Sequence, residues 1–396
     1  MIEPPMSVIG DFRSLRPRHL SSQAQTLEWL AMAHARAEAQ LATQEGRAFD
    51  ETPFIESMRK RLARFGCGSH QIATRGHELD DCSHLRWDDM EVYRLAERAS
   101  GEGMRTRTRV FGRIASSALS LLFAEVSDAP QQLIHVTCTG YESPSAAQLL
   151  VAGKGWGSRT RVTHAYHMGC YAALPALQVA AGLLALGATN RPTSAEARVD
   201  IVHTEICSLH LHPLRHEAEQ LVIQSLFADG CISYSVYPQA SFHRRGPALA
   251  VLSQAEWIVP DSAQSMAWFS SDFGMEMILA RDVPDKLAQS LAPFVSSLLE
   301  QAGEPAIASE RAIFAIHPGG PKIVDQIAAA LKLTEEQVAA SRAVLRERGN
   351  MSSATLPHIW QELARASNVQ DGQLVVSLAF GPGLTLSGAV LRKVSA

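Results

Sequence analysis

Short apolar, β-branched runs alternate with helical stretches from about residue 130 onward, and this alternation constrains the fold more than any other feature of the chain. Residues 132–139 read as a buried strand ending at Gly140. A helix from about Ser145, a strand over 161–165, a helix over 172–186, a polar loop over 190–198 and a strand over 199–205 follow. A helix over 221–227 and a strand over 230–237 complete this part. The rhythm then restarts with strands over 256–259 and 275–279, a helix over 284–301, and a strand over 311–316 that ends at His317. Helices over 322–331, 334–347 and 353–365 lead to strands over 373–379 and 386–393 around a Gly-Pro-Gly turn. Such alternation predicts an α/β sheet covered by helices, and two halves of like rhythm predict a duplicated architecture. Upstream, 23–41, 54–65 and 114–123 read as helices, separated by a charge-rich stretch at 76–105 without a clear period.

With 396 residues, 46% of them hydrophobic and 19% charged, the chain can bury a large core and is not disordered. A net charge of −4 gives no reason to expect a nucleic-acid partner. The start, Met-Ile-Glu-Pro-Pro-Met, lacks a basic region followed by an apolar one, so no secretory signal is expected. The longest apolar run, after Cys170, contains Pro175 and Gln178 and reads as a core helix, not a membrane span. Six cysteines without CxxC spacing argue against a disulfide framework and a cysteine zinc site. His164, His167, His203, His210, His212 and His216 show neither HExxH spacing nor paired carboxylates, so no metal is expected. These readings together predict a cytoplasmic enzyme.

Three places join a reactive side chain to permissive backbone. Gly169-Cys170 precedes the small-residue helix, where Pro175 falls in the first turn. A thiol at a helix N-terminus is expected to have a lowered pKa. His317 stands at a strand end before Pro318-Gly319-Gly320, and Asn350 sits in a turn after Gly349. Strand ends and turns are where α/β proteins carry chemistry. His317 is therefore the candidate base holding Cys170 as a thiolate, and Asn350 the candidate donor to an oxyanion or enolate. Singly, each residue reads more simply as a core cysteine, a structural histidine and a turn asparagine.

Taken together, Gly169-Cys170, the segment 317–326 (His-Pro-Gly-Gly-Pro-Lys-Ile-Val-Asp-Gln), the segment 349–354 (Gly-Asn-Met-Ser-Ser-Ala) and the segment 380–385 (Phe-Gly-Pro-Gly-Leu-Thr) resemble the signature segments of chalcone synthase-like type III polyketide synthases, in the thiolase superfamily. Ketoacyl synthase III enzymes share the Cys-His-Asn set but not the Gly-Asn-Met-Ser-Ser and Phe-Gly-Pro-Gly-Leu-Thr wording. The resemblance implies an α/β thiolase fold, five-layered αβαβα, built from two duplicated halves. Residues 1–245 would carry the nucleophilic cysteine and 246–396 the histidine and asparagine. It also implies a homodimer that condenses malonyl-CoA decarboxylatively onto an acyl-CoA starter, with no cofactor beyond the CoA thioesters.

By position, the resemblance makes Cys170 the acyl carrier, and His317 and Asn350 the groups that promote decarboxylation and stabilise the enolate. Phe227 matches an aromatic gatekeeper, and Met277 replaces a second one. Cys138 stands where plant enzymes have Thr, and Ile223 where Gly is common. His210, Ser352 and Pro382 are further expected cavity residues, and Lys60 and Arg64 fall where CoA phosphates are met. Ser143-Pro144 matches a turn that carries a cis peptide. These departures describe an apolar cavity leaning toward an aliphatic starter and a pyrone, resorcinol or phloroglucinol-type product. The alternatives are a stand-alone ketosynthase III-like enzyme using acyl carrier protein for one condensation, and a catalytically silent scaffold partner in a biosynthetic complex. The Arg105–Arg113 cluster suits an acidic carrier protein less well than an ordinary charged face.

Overall fold

The computed structural model describes residues 7–190, 197–239, 242, 246–280 and 283–394. Its first half runs β1 (Ser7–Ser14), β2 (His19–Ser22), α1 (Gln23–Gln44), α2 (Glu51–Phe65), β3 (Thr74–His77), α3 (Met104–Leu122), β4 (Gln132–Thr137), α4 (Ala146–Gly153), β5 (Arg161–Tyr166), α5 (Ala173–Asn190), β6 (Val199–Glu205), α6 (Ala218–Leu226) and β7 (Gly230–Pro238). The second runs β8 (Ala248–Ile258), β9 (Met266–Ser271), β10 (Gly274–Leu279), α7 (Val283–Gln301), β11 (Ile313–Ile316), α8 (Pro321–Leu331), α9 (Glu335–Arg348), α10 (Thr355–Arg365), β12 (Leu374–Gly381) and β13 (Thr385–Val394).

Local chemistry sets several of these boundaries. Ser22, Ser145 and Thr334 cap α1, α4 and α9, each closing a reciprocal box with a glutamine three residues on. Pro175 is the third residue of α5, where a missing N–H costs no helical bond.

Nine strands form one sheet in the order β11-β12-β13-β8-β1-β7-β6-β4-β5. β4 lies parallel to both β5 and β6, β6 is antiparallel to β7, and β7 to β1. On the other side β11 is parallel to β12, β12 antiparallel to β13, and β13 to β8. The series β4-β6-β7-β1 is thus repeated as β11-β12-β13-β8. The two series join only where Ser7–Ile9 of β1 pair with 249–251 of β8. α5 packs on β4, β6, β7 and β13, and α10 on β7, β8, β11 and β13, so this helix pair lies between the two halves of the sheet. α3 and α4 cover the outer face of the first half, and α7 that of the second. The apolar core divides accordingly, with Leu177, Tyr234, Trp360 and Leu391 in the middle cluster, Phe111, Leu119 and Leu133 in one outer cluster, and Phe294, Phe314 and Val390 in the other. Helix, sheet, helix pair, sheet and helix make the five layers.

The sequence pattern missed β1 at the centre of the sheet and β9 in the separate β9–β10 hairpin. It took the tail of β8 for a strand of its own, and it started α3 ten residues late, because Arg105 and Arg109 lie on that helix's exposed face. The loop expected over 190–198 lies largely outside the described residues. Ser143–Pro144 is cis.

Candidate active site

Parallel strands bring their carboxyl ends to one edge, and α/β folds bind ligands there. Cys138 follows β4, Gly169-Cys170 follows the end of β5, Glu205 ends β6, His317 follows β11, and Pro382 follows β12. Each of the motif segments therefore leaves the sheet at this edge or, for Asn350, immediately before α10.

Gly169 shows why the sequence must read as it does here. Its φ is +92°, and a Cβ on it would lie 2.5 Å from the Pro382 ring. Only glycine lets the Cys170 turn pass against the Gly-Pro-Gly turn. Across the halves, Cys170 Sγ lies 3.7 Å from Ser352 Oγ. Ser352 itself has φ +48°, a left-handed serine that costs about 1–3 kcal/mol and is held by its neighbours.

Asn350 is fixed on all sides. Its amide donates to Leu226 O at 3.0 Å and its carbonyl accepts from Ala228 N at 2.8 Å, forming a one-residue bridge with Phe227. Its Oδ1 accepts from Ser352 N at 2.9 Å and from the Thr355 hydroxyl at 3.3 Å. That leaves Nδ2 as a buried donor without a partner. His317 is likewise buried, its amide bonded to Leu378 O at 2.8 Å and both ring nitrogens unpartnered. Buried polar groups are nearly always satisfied, so three such orphan atoms at one edge of the sheet mark a place for a ligand.

Electrostatics correct one expectation. Cys170 is not held as a thiolate: burial pushes its thiol up to about 12, Glu205 adds to the rise, and the Ser352 hydroxyl only partly offsets it. The helix proper begins three residues later, at Ala173, so its dipole acts weakly at the sulfur. Burial also holds His317 down to about 3, and among the described residues no hydrogen bond joins it to Cys170. Thiol and imidazole are both neutral.

One cavity is lined by Cys170 together with Cys138, His210, Ile223, Phe227, Met277, Ser352 and Pro382. His317 and Asn350, both buried, are not among the residues that line it, nor are Lys60 and Arg64, which are exposed on α2. The cavity is not apolar throughout. His212, Gln220, Gln224 and Glu276 give it a polar side, from the loop before α6, α6 itself and the β9–β10 hairpin, whose facing no linear pattern revealed.

Sequence reasoning also missed Trp268, whose indole donates to Cys138 O at 3.0 Å and seats the β9–β10 hairpin over the cavity. It missed Arg75 as well, a buried guanidinium that donates to the carbonyls of Gln224 and Phe227. No linear pattern singled out Arg75, because its short strand was not read from the sequence. Among the described residues, no group of three or more His, Cys, Asp or Glu side chains is placed to hold a metal ion.

The chain superposes on PKS-I from the brown alga Ectocarpus siliculosus with a TM-score of 0.81 at 19% identity, covering 100% of both chains. The C-terminal type III polyketide synthase domain of Steely1, a type I/III hybrid from Dictyostelium, matches at 0.79 and 23% identity over 98% of this chain and 99% of that one. The bacterial type III enzyme 1,3,6,8-tetrahydroxynaphthalene synthase from Streptomyces coelicolor A3(2) matches at 0.76 and 22% over 98% and 100%. The architecture is that of the type III polyketide synthases. Within it, residues 250–395, which include His317 and Asn350, match the C-terminal domain of chalcone and stilbene synthases.

Proposed function

We propose that the protein is a type III polyketide synthase-like acyltransferase that forms carbon–carbon bonds by decarboxylative condensation of malonyl-CoA onto an acyl thioester held on Cys170. The observation that carries this reading is the meeting of the halves: Cys170 of the first lies against Ser352 of the second, beside Asn350 in the segment that matches the chalcone and stilbene synthase C-terminal domain.

The chemistry follows from the neutral thiol and imidazole. As Cys170 Sγ attacks the starter carbonyl, its proton passes by way of His317 to the sulfur of CoA, the C–S bond to CoA breaks, and CoA leaves as the free thiol. Malonyl-CoA then loses CO2, and the electron pair left behind forms an enolate. Asn350 Nδ2, a donor with no partner among the described residues, and the ring N–H of neutral His317 stabilise its oxygen. The enolate carbon attacks the acyl carbonyl, the Cys170–acyl bond breaks, and the departing sulfur takes up a proton from solvent to restore the thiol. Phe227 and Met277 form the gate and wall past which the chain enters.

The methionines favour an aliphatic starter, and the polar side formed by His212, Gln220 and Gln224 suits the oxygens of a growing polyketide that closes to a pyrone, resorcinol or phloroglucinol ring. We take 1–245 and 246–396 as the two domains, in line with the repeated strand order. We take the assembly as a homodimer, because β5 is an edge strand and Leu149 and Val179 on α4 and α5 are exposed.

Intact-protein mass spectrometry tests the reaction. An acyl adduct from acyl-CoA on the wild type, absent in Cys170→Ala, is expected; an adduct formed only from acyl carrier protein defeats the CoA reading. Product analysis with hexanoyl- to lauroyl-CoA beside coumaroyl-CoA tests the starter, and turnover of the aromatic one alone defeats the aliphatic assignment.

A further inference from the structure

Under the cavity wall made by Cys138 and Thr139 lies Glu205, fully buried, and no cation pairs with it among the described residues. Its Oε2 accepts from the Cys138 amide at 3.0 Å and from the Thr139 hydroxyl at 3.1 Å. Its Oε1 meets the Ser353 hydroxyl. Ser353 Oγ is 3.0 Å from His203 Nδ1, and His203 Nε2 is 3.2 Å from Tyr234 Oη. Ser353, His203 and Tyr234 are as deeply buried as Glu205. The four groups form one unbranched chain of hydrogen bonds.

That chain has two complete arrangements, because every link between its ends can reverse. With Glu205 protonated, Oε1–H donates to Ser353, Ser353 donates to His203 Nδ1, and Nε2–H donates to Tyr234. With Glu205 ionised, Tyr234 donates to Nε2, Nδ1–H donates to Ser353, and Ser353 donates to the carboxylate. The imidazole stays neutral in both and changes tautomer. The states differ by the one proton on Glu205.

The groups that face Glu205 decide which state suits the site. They are the thiols of Cys138, Cys170, Cys207 and Cys231 and the phenol of Tyr141, and none is a cation. A carboxylate here opposes every other negative charge nearby. On the reading above, the site must accommodate a sulfur that sheds its proton, a malonyl carboxylate and an enolate in turn. We propose that Glu205 is a positioning residue that works as a neutral carboxylic acid, its proton held by the Ser353–His203–Tyr234 chain, so that Cys170 and the bound anions carry the site's negative charge. Burial, opposed by the Cys138, Thr139 and Ser353 donors, pushes the Glu205 carboxyl up to about 7, which lets both states be populated near neutrality. This inference rests on the role given to Cys170.

The test uses the full-length protein and iodoacetamide, with alkylation of the Cys170 peptide followed by mass spectrometry against pH. Glu205→Gln copies the protonated state, with its amide N–H donating to Ser353 and its carbonyl accepting from Cys138. It should lower the alkylation midpoint by roughly one pH unit. His203→Phe leaves the Ser353 hydroxyl only Glu205 as a partner, favours the carboxylate, and should raise the midpoint. Opposite shifts are a result that a purely structural role does not produce. Infrared difference spectra of the wild type should show a buried carboxylic acid band that fades as pH rises through about 7 and is missing in Glu205→Gln. Equal midpoints in the wild type and Glu205→Gln, or no such band, overturn the proposal. Neither readout needs turnover, so loss of condensation with both intact refutes the reaction assigned to Cys170 and leaves Glu205's role standing. If His203→Phe does not fold, the isosteric Gln variant and the band still decide.

Discussion

Substituting alanine for Gly169 tests the claim that the two motif turns fit only around a bare backbone. At φ +92° an L-residue is strained, at roughly 1–2 kcal/mol. The added Cβ would sit 2.5 Å from Pro382 Cδ and 3.1 Å from its Cγ, in a rigid ring between two glycines that cannot rotate away. Relieving that overlap by shifting packed backbone costs about 1–3 kcal/mol. The sum, roughly 2–5 kcal/mol, is a large share of the stability of an ordinary domain. Gly153→Ala is the control: this residue ends α4, its φ is not positive, and its Cβ would meet nothing within 4 Å. There the same substitution should stabilise by about 0.4–1 kcal/mol. Urea denaturation of both variants beside the wild type measures the two shifts, and iodoacetamide labelling of Cys170 reports the displaced turn. The reasoning fails if the two variants shift the midpoint in the same direction, or if Gly169→Ala matches the wild type in both assays.

Trp360 is completely buried between the sheet halves, edge-on to Tyr234 at 5.8 Å, with its indole donating to Ser377 Oγ at 2.8 Å. Trp360→Ala should cost about 3–5 kcal/mol in urea unfolding, and a loss near zero would show that the middle layer is loosely packed. Acid stability should be governed by histidines. His34, His135, His203, His210, His317 and His358 are pushed down to about 3 and His77 to about 4, each mainly by burial. Their folded pKa values lie below the unfolded 6.5, so the stability they contribute is full above that pH and is lost as pH falls toward 3. Glu205 and Asp229, both raised to about 7, act in the opposite sense, as do Glu78, Asp200 and Glu256, each raised by burial, and seven histidines outweigh five carboxyls. Unfolding midpoints should therefore fall continuously from pH 7 to about pH 4, and a flat profile would contradict the buried neutral imidazoles.

Much of the site was legible because its residues sit in segments where chemistry and turn geometry coincide. Gly169 before Cys170, the glycines after His317 and the Gly-Asn turn are each demanded by local backbone, so they stand out in a linear reading. The cavity residues inferred through the family resemblance line one cavity. Trp268 and Arg75 were hidden for a different reason. Each acts on a carbonyl remote in the chain, Trp268 on Cys138 and Arg75 on Gln224 and Phe227, and a backbone oxygen leaves no mark in a sequence. β1 was missed because its residues read as mixed and polar, although pairing on both sides buries Ser7–Gly10.

The amino-acid sequence by itself determined the α/β alternation, the duplicated rhythm and the three reactive residues, since these depend on periodicity and on backbone freedom close along the chain. Tertiary structure alone decided the charge at the site. A thiol before a helix reads as a thiolate until burial is known, and low dielectric, with Glu205 nearby, raises Cys170 to about 12 while it leaves His317 neutral. The same burial brings Glu205, Ser353, His203 and Tyr234 into one chain from β6, the turn before α10 and β7. Ionisation is set by what surrounds a group in space, and that is fixed only when distant segments pack.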